Sequence, residues 1–171
     1  KTFYAKWTAN NYTVTYEYNS ATGGNGTASS SYTTGGTAIT LPTPTRTGYT
    51  FGGWYSDSGL TSSIGAAGDS YSPSGGTLSL NAYAKWTANT NNAITWDDQT
   101  PTSASSGGSS TYTTDQAVST IPTTPPTKTG YTFGGWWTGT SGSGTQVTNG
   151  SYTPASPYGS KTFYAKWTAN N

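Results

Sequence analysis

The 171 residues contain no cysteine, no histidine and no methionine, and only 8% of them are charged. Without cysteine there are no thiol nucleophiles, thiolate metal sites or disulfides. That absence suits a reducing cytosol, but it also suits long exported chains that must avoid wrong cross-links, so it leaves the compartment open. Without histidine, the commonest general base, the usual zinc ligand and every His-containing triad are gone. A net charge of +1 provides no electrostatic footprint for nucleic acid or an anionic membrane. No apolar run approaches the ~20 residues needed to span a bilayer. A chain that opens on Lys1 and holds no methionine is expected to be a segment of something longer, with any signal peptide or anchor outside it. What is abundant is glycine (23 residues) and aromatics, with 7 Trp, 14 Tyr and 4 Phe. Apolar residues are only 30% of the chain, yet disordered chains lack rings and carry net charge. The composition therefore predicts a folded, Thr/Ser/Gly/Asn-rich β protein whose small cores are built from aromatic rings.

Self-similarity organises the chain. The string from Gly48 to Trp54, GYTFGGW, returns unchanged from Gly130 to Trp136. YAKWTAN begins at Tyr4, Tyr83 and Tyr164, and residues 1–11 and 161–171 are the same eleven letters, KTFYAKWTANN. Between these anchors Val14 and Tyr16 correspond to Ile94 and Trp96, and Tyr32 to Tyr112. The expected frame is the final strand of a preceding repeat at 1–10, one module at 11–89 and a second at 90–171. A frame in which YAKW opens each module fits the same letters. Each unit is near the lower size of an autonomous domain, with polar linkers Thr8–Asn11 and Thr87–Asn92 too short for free tumbling.

Within a repeat, Tyr12–Tyr18 alternates with period two, which predicts a half-buried strand. In the second copy Asn92 and Asp98 replace the outer tyrosines. Turn signals at Gly23–Gly26 and Ser105–Gly108 precede a second strand at Ala28–Thr34 or Ser109–Thr114. Leu41–Pro44 and Ile121–Pro126 predict an extended crossover. A third strand covers Tyr49–Tyr55 or Tyr131–Trp137, with its paired glycines marking a bulge or a close backbone approach. The last strand is Ala82–Thr87 or Thr162–Thr168. No segment has helical periodicity; a short helical turn is expected near Ser56–Ile64. The expected core is Val14, Tyr16, Ile39, Tyr49, Phe51, Trp54, Tyr71, Ala84 and Trp86, with their equivalents.

The run Pro44–Tyr55 (PTRTGYTFGGWY), closed by Tyr83-Ala84-Lys85-Trp86-Thr87, resembles the Listeria–Bacteroides repeat, also called the internalin B-type B repeat, across both modules. The resemblance implies a compact β-grasp-like, ubiquitin-like fold with a mixed sheet. It also implies a place on the bacterial exterior and a role as stalk or adhesion module rather than enzyme. Two departures concern the helix of that fold. The loop between Trp54 and Tyr83 is Gly/Ser-rich, and the second module's opening strand, Ile94–Asp98, is degraded.

The chemistry available is sparse. The six carboxylates are Glu17, Asp57, Asp69, Asp97, Asp98 and Asp115, and of these only Glu17 and Asp97 coincide between repeats. No metal-ligand spacing and no phosphate-binding loop with its lysine and helix are present, so no cofactor and no metal are expected. Lys85 and Lys166 recur inside YAKW. One reading is an autocatalytic isopeptide bond from each lysine to Asn or Asp, assisted by Glu17 or Asp97. The other is a lysine whose stem covers Tyr83 while its ammonium reaches water. Tyr55, Trp137, Tyr83 and Tyr164 are candidate ligand-facing aromatics on an exposed face. The expected function is a non-catalytic stalk, spacer and adhesion segment of an extracellular or cell-surface bacterial protein. Its expected partners are neighbouring repeats and a host or matrix glycan or protein, with no nucleic acid and no membrane insertion in this segment. A carbohydrate- or host-protein-binding module is the alternative. The aromatic tail 1–10 is expected to pair with a free sheet edge, within the molecule or in a neighbour.

Overall fold

The computed structural model describes residues 1–24, 26–74 and 78–171; Asn25, in the first turn signal, lies outside them. The chain is mainly β and divides into two compact units, Lys1–Thr87 and Ala88–Asn171. In the first unit the strands are β1 (Asn11–Glu17), β2 (Ser29–Thr33), β3 (Ile39–Thr40), β4 (Tyr49–Tyr55), β5 (Ser63–Gly65), β6 (Ser70–Tyr71) and β7 (Ser79–Ala88). In the second they are β8 (Asn92–Asp97), β9 (Thr111–Tyr112), β10 (Tyr131–Trp137), β11 (Gln146–Val147) and β12 (Lys161–Ala169).

Each unit is built on a mixed five-stranded sheet, ordered β2-β1-β7-β4-β5 and β11-β10-β12-β8-β9. The first and last strands lie side by side and parallel. Val14 faces Leu80 and Tyr16 faces Ala82 across β1 and β7, while Ile94 faces Lys161 and Trp96 faces Phe163 across β8 and β12. Parallel neighbours need a crossover of a dozen residues or more. The rest of each repeat is that crossover, and its apolar side chains cover one face of the sheet.

Period-two alternation decides which side chains go in. Tyr12, Val14 and Tyr16 of β1 are buried, as are Ala82 and Ala84 of β7. Leu41 enters from the crossover, where β3 and β6 pair through Ile39 and Tyr71. At the centre Trp54 is fully buried, with Tyr16, Tyr18 and Phe51 around it at ring separations of 5.1, 5.4 and 5.6 Å. The second unit repeats the arrangement around Trp136, with Trp96 at 5.0 Å and Phe133 at 5.5 Å. There Phe163 stands where Ala82 does, and Val118 and Val147 are buried beside it. Burial raises the Tyr16, Tyr71 and Tyr112 phenols above their ordinary range. Asn92, in the place of Tyr12, is buried because its amide donates to Asn89 O, Tyr112 O and Thr114 Oγ1.

Three expectations are corrected. Tyr49 is not in the core: it lies beneath the Arg46 guanidinium, 3.7 Å from ring centre to Cζ, and Leu41 and Ala82 take part in the core instead. No helical turn forms at Ser56–Ile64. The Asp57 carboxylate accepts the N–H groups of Thr61 and Ser62, closing a side-chain-capped turn that competes with helix. The Ser62 bond foremost holds that carboxyl below its usual range. Only a 3-10 turn at Thr140–Gly142 occurs at the matching place in the second unit. Finally, residues 1–10 form no strand within the chain, and Phe3, Tyr4 and Trp7 are 87–90% exposed, which corrects the expected pairing within the molecule; pairing with a neighbour stays an expectation. Their letters encode a central strand, and in this unit β7, with the same letters, already occupies that slot.

The two central indoles differ in one bond. Trp54 Nε1 donates to Pro42 O at 2.9 Å inside the core, whereas Trp136 Nε1 is buried without an acceptor among the described residues. Losing a donor strands a buried carbonyl, at a cost of about 1–3 kcal/mol. Trp54→Phe is therefore expected to destabilise the protein by about 1 kcal/mol more than Trp136→Phe in urea unfolding; equal losses would contradict this.

Candidate functional site

The face of each sheet opposite the core carries the residues that the sequence singled out. In β7 Tyr83 and Lys85 alternate with the buried Ala84, and in β12 Tyr164 and Lys166 alternate with the buried Ala165. Glu17 is the strand partner of Tyr83, and Asp97 of Tyr164. Trp137 lies directly across from Tyr164.

The paired glycines determine where the lysines go. In the second unit the register between β10 and β12 shifts between Phe133 and Trp136, so Gly134 and Gly135 form a bulge. Gly53 and Gly135 have φ of +105° and +90°, in the region that side chains disfavour. Gly52 and Gly134 do a different job. A Cβ at either would come within 3.2 Å of the Lys85 or Lys166 stem. With that space open, each stem lies flat over the glycine and the ammonium reaches a ring: Lys85 Nζ is 5.1 Å from the centre of Tyr55, and Lys166 Nζ 5.1 Å from Trp137. Both are within cation–π range. Trp137 Nε1 also donates to Gly134 O at 3.1 Å, folding the indole back over the bulge.

Of the candidates, Tyr55 pairs with Lys85, and Trp137 and Tyr164 are cross-strand neighbours. Glu17 is exposed, and the half-buried Asp97 accepts the Gln99 N–H at 2.9 Å. Each lysine thus lies on a glycine and reaches a ring of the neighbouring strand. Among the described residues no three His, Cys, Asp or Glu side chains gather as a metal site would require.

A second recurrent feature was not singled out from sequence. Asn19 and Ser20, and their equivalents Gln99 and Thr100, adopt left-handed backbone conformations just beyond the first strand. Trp86 donates to Tyr18 O and Trp167 to Asp98 O, both at 2.9 Å, pinning this corner over the last strand. Arg46 and Lys128 reach the corner carbonyls of Asn19 and Gln99. The repeated signal in the sequence was the basic residue of TRTG and TKTG.

The same two stretches that fold alike also match one family model, the Listeria-Bacteroides repeat domain, at residues 12–85 and 93–166. The chain belongs to the Listeria-Bacteroides repeat family. Two relatives from Evansella cellulosilytica, named "Putative membrane protein" and "Putative Gly-rich membrane protein", are each 32% identical over 98% of the chain. The chain spans 24% and 17% of their lengths. No solved structure matches it. Among the described residues of these repeats no helix is long and apolar enough to cross a membrane.

In the first repeat the two paired glycines of β4 should respond differently to a methyl group. Gly53→Ala forces a side chain into positive φ and is expected to cost about 1–2 kcal/mol. Gly52→Ala need only push aside the Lys85 stem and should cost less than about 1 kcal/mol. Thermal unfolding of both variants checks the order, and a more damaging Gly52→Ala would contradict it.

Proposed function

We propose that this chain is a non-catalytic tandem-repeat segment of a bacterial surface protein, serving as stalk, spacer and adhesion module outside the cell. The observation that carries the reading is that each repeat has its own aromatic core cluster, one around Trp54 and one around Trp136, with no residue in common. A unit that closes its own core can be multiplied in a chain without redesign. Its outer surface, low in charge and rich in Thr, Ser and Asn, stays hydrated and neutral beside its siblings. The relatives' names, which speak of membrane proteins, support a setting at the cell envelope. The β-grasp outline is supported by the parallel first and last strands at the middle of each sheet, with an extended crossover in place of a helix.

A unit of this size has a radius of gyration of about 12 Å. If the role is that of a spacer, chains of two, four and six repeats should lengthen in small-angle scattering by roughly 30 Å per repeat. A maximum dimension that stops growing would count against a stalk.

Lys85 and Lys166 belong to this reading as non-covalent braces of the outer face. Their ammonium groups rest on rings, so the intact mass should equal that of the sequence. Loss of one ammonia or water per repeat would instead establish the isopeptide bond. The alternative role, ligand binding by Tyr55, Tyr83, Trp137 and Tyr164, draws support from the Trp137–Tyr164 pair on the outer face, although lysines already cover one side of Tyr55 and Trp137.

A further inference from the structure

The two repeats differ at the corner beyond their first strands, and in the second a crevice lies there. In the first unit Asn19 Nδ2 donates to Ala84 O at 2.7 Å, so the amide closes the space between the corner and the last strand. Gln99 takes the place of Asn19 in the second unit and makes no such bond to Ala165. A crevice of about 490 Å³ stands there, with Ala165 and Trp167 lining it from the last strand. Its other walls are Asp97, Gln99, Thr100, Lys128 and Ser141. That volume lies within the roughly 300–1,000 Å³ of small-molecule sites.

We propose that this crevice binds a neutral saccharide, one hexopyranose unit of a glycan, through its vicinal hydroxyls. The lining combines one carboxylate and one ammonium with two hydroxyls, an amide and a half-buried indole. Lys128 disfavours a cation in the crevice and Asp97 disfavours an anion, whereas an uncharged diol can donate to Asp97 and accept from Lys128. Both charges are held in place. Lys128 Nζ donates to Gln99 O at 3.2 Å and to Thr100 Oγ1 at 3.1 Å and lies 4.9 Å from the Tyr131 ring centre and 5.9 Å from that of Trp167, so a ligand oxygen competes with these rings for its third proton. Asp97 spends one oxygen on the Gln99 N–H and keeps acceptor capacity for a hydroxyl. Trp167 is fixed by its bond to Asp98 O, so it offers a rigid apolar edge to a sugar ring. The site borders the outer face, since Asp97 is the strand partner of Tyr164, and it does not depend on the spacer role.

The test is a titration of the full chain with maltohexaose, cellohexaose and tetra-N-acetylchitotetraose. Tryptophan fluorescence and the amide shifts of Gln99, Thr100 and Lys128 report binding, with glycine as a zwitterionic control. At least one saccharide is expected to give a saturable change at millimolar concentration. Asp97→Ala and Gln99→Asn should each weaken it at least about tenfold, while Gln116→Ala, at an exposed turn outside the crevice lining, leaves it unchanged. Gln99→Asn installs the residue that the first unit already carries, so it should fold and simply close the crevice. The proposal is overturned if no saccharide produces a saturable change, if glycine produces the same shifts, or if binding survives Gln99→Asn or is lost in Gln116→Ala.

Discussion

A single indole surrounded by other rings is what each unit depends on. With apolar residues at 30% of the chain, there are too few aliphatic side chains to fill two cores in the usual way. One aromatic buries ~150–250 Å², so a cluster of four or five rings can replace many leucines. Trp54 and Trp136 are the residues around which the tilted and edge-on contacts converge. The strand order follows from that need. Placing the first and last strands in parallel at the centre brings Tyr16 or Trp96 onto the ring cluster from one strand and Ala84 or Ala165 from the other.

The same economy shapes the outer face. The glycines that relax the third strand also give each lysine a flat bed, and the lysine in turn covers an aromatic that would otherwise stand open to water. A surface of this kind, with its charges few and its rings partly covered, is suited to repetition in a long chain. Where Asn19 gives way to Gln99 the corner and its tryptophan anchor stay in place, while the bond from the corner to the last strand is made by Asn19.

Much of this was legible in the letters, for physical reasons. Strands such as Tyr12–Tyr18 and Tyr49–Tyr55 announce themselves because a half-buried strand must alternate, and the exact return of GYTFGGW fixes the unit length. Alternation cannot, however, distinguish a ring in the core from a ring under a cation, which is why Tyr49 was expected inside and lies beneath Arg46. It says nothing of Leu41, which reaches the core from an irregular crossover. The destination of the Lys85 ammonium depends on a glycine in a neighbouring strand, and the Asn19–Ala84 bond joins residues 65 positions apart. Such contacts exist only once the sheet has formed. The tail 1–10 has the letters of a central strand, but letters do not reveal that the slot is already filled.

The account stands on each ring cluster sustaining its own unit. Hydrogen exchange of the Trp54→Ala variant, read by mass spectrometry across the chain, tests this most directly. Protection should collapse in residues 11–87 and persist in residues 92–169. Loss of protection in both units together, or in neither, would contradict it.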